Sequence, residues 1–507
     1  MKKIYKYISI TLLTIMLSLA FSCELSRDID DFEPLFTLPA DTGIDSEAIA
    51  ELTLNGAYAA FRRNSISSGF PDLWYVPSRL SGVATITVDN QGNSEQEGFD
   101  ENNPVVFNGD VNLGMYTNLY NLINRTNLII ETVPALDNAI FSTETRRDEI
   151  VGEAQILRAT AYFYLLRLYG QFYDANSTFG VVVRTNFARD LEILPRNTVA
   201  ETYAQIMQDL DAGIATAPEF REAKFFVSKT YANALKAKVL LYQGDYTQAA
   251  TLASNIINNL DSNFGLSPTY DELFDNTSEA LFNNPEILFG SRGDARTESL
   301  GLGDAWNDAD ARVNVQFASN IVNGEVAING QAITLDGSRV ETQLGYFYDD
   351  YYYEEAAAMQ KFSNNRVSEP FEMIYHLRLA ELYLIFAEAE ARSNNTVSIA
   401  ALDALNAIRT RAGATTTGDD GFETYPASIS LAEFLEAVRV EKRIELAGEM
   451  GEDWFDLIRY DFADGFGTGF QVSDVKETAT DSDRFILPIA QENIDATNSV
   501  VVQNPGY

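Results

Sequence analysis

Apolar residues recur at helical spacing along most of the chain, and polar residues part them into discrete helices. Residues 46–63 carry Ile49, Leu52, Tyr58 and Phe61 on such a pattern, with Ser46 as a candidate N-cap. A second helix is predicted over 110–133, where Met115, Leu119, Leu122, Ile123 and Ile130 recur. The stretch 144–170 is long and rich in Ala, Leu and Tyr, and it stops at Gly170. A fourth helix follows over 198–217. Thr198 and Glu201 have the spacing of a capping box there, and Pro218 comes after the end. An Ala/Leu/Glu pattern predicts another helix over 430–447.

Residues 228–260 say most about architecture. Ala237, Gly244, Tyr246 and Ala249 stand at the spacings of a tetratricopeptide repeat. Small alanines let two antiparallel helices approach, Gly244 turns the chain, and Tyr246 fills the gap between them. The pair 375–393 and 397–411 has the same Ala-rich build. The helices at 144–170 and 198–217 make a third pair, split by an insertion. The repeats are irregular. They predict a mainly α fold in which a tetratricopeptide-like helix-pair scaffold, chiefly over 110–260 and 371–460, is embedded in a larger domain.

Two regions break this pattern. Residues 64–109 are rich in Gly, Asn, Ser and Asp, with Val and Thr alternating over 83–88. Residues 261–370 are similar, with strand-like runs at 312–318 and 331–335 and a cluster of tyrosines. Loops this long are uncommon in compact domains and usually serve a function. They are expected to gather on one face of the scaffold.

Composition narrows the chemistry. The chain of 507 residues has a formal charge of −38, one His and one Cys. One Cys excludes an intramolecular disulfide and a cysteine metal cluster. One His leaves no multi-histidine metal site. So acidic a chain does not suit nucleic-acid phosphates. No Walker loop, dinucleotide fingerprint, G-x-S-x-G or H-E-x-x-H motif occurs, and no cofactor is expected.

The N-terminus reads as an export signal over 1–22. Lys2, Lys3 and Lys6 precede an apolar run from Ile8 to Phe21, which is too short to span a bilayer. The run leads through Leu19, Ala20, Phe21 and Ser22 to Cys23, which resembles a bacterial lipoprotein signal with Cys23 as the lipid attachment site. Two or more acyl chains hold a protein stably on a membrane. Residues 23–45 then form an acidic tether. Glu24, Asp28, Asp30, Asp31 and Glu33 resemble the surface-export signal of Bacteroidetes lipoproteins. Residues 46–507 are expected to form a single domain.

Four segments carry a wider resemblance: NLYNLINRTNLIIETVP (118–134), GEAQILRATAYFYLLRLYG (152–170), VRVEKRIELAGEMGEDWFDLIRY (438–460) and FILPIAQENIDATNSVVVQNPGY (485–507). Together with the lipoprotein start, they resemble the SusD/RagB family of nutrient-binding outer-membrane lipoproteins. Ala490 and Thr497-Asn498 depart from that family's usual tail. The resemblance implies a lid over a SusC-like TonB-dependent transporter, lipid-anchored in the outer membrane and exposed at the cell surface. Such a lid captures oligosaccharides, or in some branches peptides, without catalysis. It also implies a ligand face built from the loops.

The residues themselves leave alternatives. Acid clusters such as Asp304, Asp308 and Asp310, or Glu452, Asp453 and Asp456, read first as solvated faces or packing, yet spacing alone keeps a two-carboxylate glycosidase open. His376, placed by its apolar surroundings in a helix over 371–391, reads as structural or as a surface residue. Asp89–Glu97 has the look of a calcium loop but lacks the Gly and Glu such a loop needs at its sixth and twelfth positions.

A sugar site needs aromatic rings for the C–H faces and planar polar groups for the hydroxyls. Trp454 reads as core. Trp74, flanked by Asp72, Tyr75 and Arg79, and Trp306, flanked by Asn307 and Asp308, both fall in the irregular regions. These residues, with Tyr351 and Tyr353, are the candidate ligand contacts. The acidic charge favours a neutral glycan, although Arg62, Arg63 and Arg79 are a candidate basic patch. A peptide-loaded lid and a lid without ligand affinity of its own are the rival readings.

Overall fold

The computed structural model describes residues 43–507 apart from 62–71, 87–91, 108, 191, 295, 298–299, 301–311, 315, 318–325, 329–330, 334–355, 358–359, 363–367, 415–422 and 467–468. The expected signal and residues 23–42 of the expected tether, with Cys23, lie outside the described residues, while Ile44 near the tether's end is buried in the core.

Helix α1 (Glu47–Ala59) lays Ala50, Leu54 and Ala57 on the core. Two short helices follow, α2 (Asp72–Leu80) and α3 (Ser94–Asp100), with strand β1 (Ala84–Thr85) between them. They stand where the sequence pattern predicts loops. Helix α4 (Asp110–Thr132) packs on α5 (Arg146–Tyr169), and α5 packs on α6 (Val199–Thr216). Nearly every side chain of α5 is buried, so it forms the central post. Helices α5 and α6 touch through glycine. A Cβ on Gly152 would lie 2.6 Å from the backbone N of Ala217, and one on Gly213 would lie 2.5 Å from Ile156 Cγ1. The Thr198–Glu201 capping box starts α6 as the sequence predicts.

Helices α7 (Lys229–Tyr242) and α8 (Tyr246–Asn258) form the expected pair. Gly244 turns between them at φ +77°, a conformation that costs glycine nothing. Ala237 and Ala249 are fully buried at the crossing, and Tyr246 packs against the same core.

The region 261–378 supplies the strands: β2 (Ile287–Asp294), β3 (Arg312–Asn314), β4 (Val326–Ile328), β5 (Gln331–Ile333), β6 (Ala356–Ala357) and β7 (Phe371–Arg378). β2 and β7 pair antiparallel with two irregularities of register, β4 pairs with β5, and a three-stranded sheet has the order β1-β3-β6. The helix expected from 371 onward begins only at Leu379. The residues before it are strand β7, and all eight are buried. Phe371, Met373, Tyr375 and Leu377 do alternate with Glu372, His376 and Arg378, but the strand runs without a break into α9, and that is why it read as the start of that helix.

Helix α9 (Leu379–Asn394) packs on α8 and on α10 (Ile399–Arg411), which makes the next helix pair. α11 (Leu431–Glu445), α12 (Glu452–Ala463) and the short α13 (Gln491–Ala496) complete the chain.

The acids of 452–456 are neither solvated nor set apart for chemistry. Glu452, Asp453 and Asp456 are at most 3% exposed. Glu452 pairs with Arg167 of α5 and with Lys238 of α7, the latter at 2.5 Å. Asp456 pairs with Lys442 and with Arg459, and Arg459 reaches Glu388 at 2.5 Å. Burial pushes the Glu452 carboxyl up, but the charges of Arg167 and Lys238 more than reverse this and hold it below the usual range. A second buried cluster centres on Arg378, which meets Glu286 at 2.8 Å, Glu445 at 2.6 Å and Glu449 at 2.8 Å. Such pairs add little net stability, but they fix how the helices face one another, because breaking one leaves a charge stranded.

Candidate functional site

Helix α2 is the element that carries Asp72 and Trp74. Leu73, Val76 and Leu80 recur at helical spacing and are buried. Pro77 lies inside the helix, so the backbone donor there is missing. The helix docks on the start of α12. Gly451, at φ +78°, admits Pro77 so closely that a Cβ there would lie 2.7 Å from Pro77 Cβ. Trp74 was expected on a loop; its backbone is helical.

Tyr75 and Arg79, two expected ligand contacts, face the interior. Tyr75 is 1% exposed and Arg79 is fully buried. Arg79 Nε donates to Asp100 Oδ1 at 2.7 Å, and its two terminal nitrogens donate to the side-chain and backbone oxygens of Gln96. Phe99 lies against the guanidinium, 5.6 Å from ring centroid to carbon. Arg79 therefore has no part in a surface basic patch. Its partners on α3 gave no local sequence signal, because they lie 17 and 21 residues away.

Helix α3 also accounts for the segment that resembled a calcium loop. Asn93 Oδ1 accepts from the backbone N–H groups of Glu95 and Gln96, and Glu97 accepts from Gly92 N at 2.7 Å. Glu95 accepts from Val111 N at 3.3 Å and Asn112 N at 2.9 Å, so it caps the start of α4. Burial raises its carboxyl above the usual range despite these bonds. Asp89 lies outside the described residues.

The two irregular regions meet in the β1-β3-β6 sheet. Ala84 pairs with Val313 and Thr85 with Arg312, and Val313 pairs in turn with Ala357. The strands join the chain next to the segments that hold the remaining candidates. Trp306, Asn307, Asp308, Tyr351 and Tyr353 themselves lie outside the described residues. Arg312 follows Trp306 by six residues, and Ala356 follows Tyr353 by three.

His376 is structural, on strand β7 and not on a helix. Its ring stacks on Phe289 at 4.6 Å, with Tyr164 Oη 2.9 Å from Nδ1 and Ser291 Oγ 3.0 Å from Nε2. Burial pushes its pKa down to about 3, so the ring stays neutral. Trp454 is core, as expected, and its Nε1 donates to Phe485 O at 3.1 Å. A cavity of about 550 Å³ lies at the far end of α12, lined in part by Arg392, Leu435, Arg439, Tyr460 and Phe470. None of the predicted contacts lines it. Among the described residues no helix is long and apolar enough to cross a membrane, and no cluster of metal-ligating side chains occurs.

The fold and sequence match known proteins along almost the whole chain. The SusD family model matches residues 262–507, and a model described as starch-binding associating with outer membrane matches residues 34–241. SusD-like protein P2 of Formosa agariphila is 24% identical over 545 residues, covering 99% of this chain and 100% of its own. A SusD superfamily protein from Bacteroides thetaiotaomicron superposes with a TM-score of 0.72 at 20% identity, covering 90% of this chain and 99% of its own. A laminarin-binding SusD-like protein superposes with a TM-score of 0.65 at 20% identity, over 91% of this chain and 100% of its own. With this helical scaffold, these two model matches and these neighbours, the chain belongs to the SusD family.

Proposed function

We propose that the protein is a cell-surface carbohydrate-binding lipoprotein that delivers oligosaccharide to a SusC-like TonB-dependent transporter. The observation that carries this reading is the β1-β3-β6 sheet. It joins two segments from opposite halves of the chain: β1 lies four residues after the Trp74 helix, and β3 and β6 follow Trp306 and Tyr353 in sequence by six and three residues. Family membership and the laminarin-binding neighbour support a glycan as the ligand class. In this reading Trp74 and Trp306 are stacking platforms, with Asp72, Asn307 and Asp308 as hydroxyl partners and Tyr351 and Tyr353 as further rings. Tyr75 and Arg79 leave the contact set because they are buried. Cys23 carries the lipid anchor to the outer membrane. The acidic chain favours a neutral glycan. No catalytic step is proposed, since the Glu452 and Asp456 carboxylates are paired with buried cations.

Affinity electrophoresis of the protein from residue 24 onward, in gels holding neutral or acidic polysaccharides, tests this. Retardation by a neutral glycan, lost in Trp74→Ala and Trp306→Ala, is the expected result. Retardation unchanged in both variants overturns the site.

A further inference from the structure

We infer that the pair of buried Arg79 and partly exposed Asp100 is the positioning device of the carbohydrate face, setting helix α2 against strand β1 without touching ligand. The inference rests on the glycan-binding reading above. One carboxylate addresses two elements. Asp100 Oδ1 accepts from Arg79 Nε of α2 at 2.7 Å, while Oδ2 accepts from Thr85 Oγ1 of β1 at 3.0 Å and from Ile86 N at 2.8 Å. The remaining guanidinium nitrogens are held by Gln96, so the fork is fixed in its plane as well as in its distance. An apolar contact of the same size can slide. A planar guanidinium held at each of its three nitrogens cannot.

The base of this device is tied to the scaffold. Glu95 of α3 caps α4. Lys476 Nζ donates to Asp100 O at 2.6 Å, Thr478 Oγ1 donates to Asn102 Oδ1 at 2.6 Å, and Asn102 Nδ2 donates to Leu80 O at 2.9 Å. Helix α3 therefore stands fixed between the scaffold and the C-terminal segment, and α2 and β1 hang from it. Strand β1 in turn pairs with β3, and β3 with β6, so an error at Asp100 reaches the segments that hold the other aromatics. Arg79 and Asp100 are positioning residues and not contacts.

The test compares Asp100→Asn and Arg79→Lys with the full-length parent chain in detergent, by amide hydrogen exchange and by retention in gels of laminarin and of starch. Asp209→Asn is the control. It breaks a buried pair with Arg158 (2.5 Å) between α5 and α6, outside the face. Both test variants should exchange about ten- to a hundredfold faster over residues 72–86, and residues 146–169 should keep the parent rate. Retention should fall about tenfold in these variants and stay at the parent level in the control. Unchanged exchange over 84–86, or retention that falls no further than in the control, overturns the inference. Arg79→Lys keeps the charge, so it decides the matter if Asp100→Asn does not fold. Trp74→Ala in the same gels separates the two failures. If its retention matches the parent, or the parent binds neither polysaccharide, the functional reading falls, and exchange alone decides whether the pair positions α2 and β1.

Discussion

Arg196 Nη1 donates to the side-chain oxygen of Asn504 at 2.7 Å, and this pair clasps the C-terminal Asn-Pro-Gly-Tyr to the scaffold. Arg196 also donates to the carbonyls of Tyr169 (2.8 Å), Gly180 (2.7 Å) and Val502 (3.0 Å). Asn504 Nδ2 donates to Tyr169 O at 3.0 Å and Leu487 O at 2.6 Å. Burial lowers the Arg196 pKa to about 10, still well above neutrality. Asn504→Ala removes one acceptor from Arg196, which keeps its bonds to Tyr169 O, Gly180 O and Val502 O, and leaves Leu487 O without this donor. It should destabilise the protein by about 1–3 kcal/mol, read as a lower urea midpoint.

Asp453 gives a pH signature. Burial raises its pKa from 3.8 to about 6. The folded chain thus holds this proton more tightly than the unfolded chain does. The group's stabilising contribution is complete below pH 4 and is lost as pH rises through 6. Asp453→Asn should gain about 1–3 kcal/mol over the parent at pH 8, and the gain should vanish by pH 4. Urea melts at the two pH values measure it.

His376 acts with the opposite sign. Its folded pKa of about 3 lies below the ordinary histidine value of 6.5, so the unfolded chain takes the proton first. Its contribution is whole above pH 6.5 and fades as pH falls toward 3. In His376→Gln the melting temperature should fall less steeply between pH 6.5 and pH 4 than in the parent, whatever its value at pH 7.

At the α5–α6 crossing, Gly152→Ala sets helix propensity against packing. Alanine favours an exposed helix by about 1 kcal/mol. Here its Cβ would lie 2.6 Å from the Ala217 backbone. Packing wins, and a net loss of about 1–3 kcal/mol is expected in chemical denaturation.

The scaffold was legible because its signals are local. The Thr198–Glu201 box, Gly244 at its turn and the alanines at 237 and 249 each act within a few residues. Helix α2 was hidden by Pro77 and by its Gly-, Asn- and Ser-rich surroundings. Strand β7 was hidden because it runs without a break into α9, so its alternating Phe371, Met373, Tyr375 and Leu377 read as part of that helix. The 452–456 segment read as packing, but the buried ion pairs of Glu452 were not legible, because its partners Arg167 and Lys238 sit far off in sequence on α5 and α7. At the candidate site, the joining of the two irregular regions was foreseen from their composition. The inward turn of Arg79 was not, because nothing near it in sequence announces Gln96 and Asp100.

The pairing of Ala84 with Val313 spans nearly half the chain. Closing so long a loop in an unfolded chain is entropically expensive, and a two-residue strand returns little for it. The helix pairs, whose contacts are near neighbours in sequence, must therefore assemble first and bring the two ends within reach. Folding order then separates the frame from the β1-β3-β6 sheet. Insertions and exchanges in the late-forming segments therefore leave the frame's own assembly untouched.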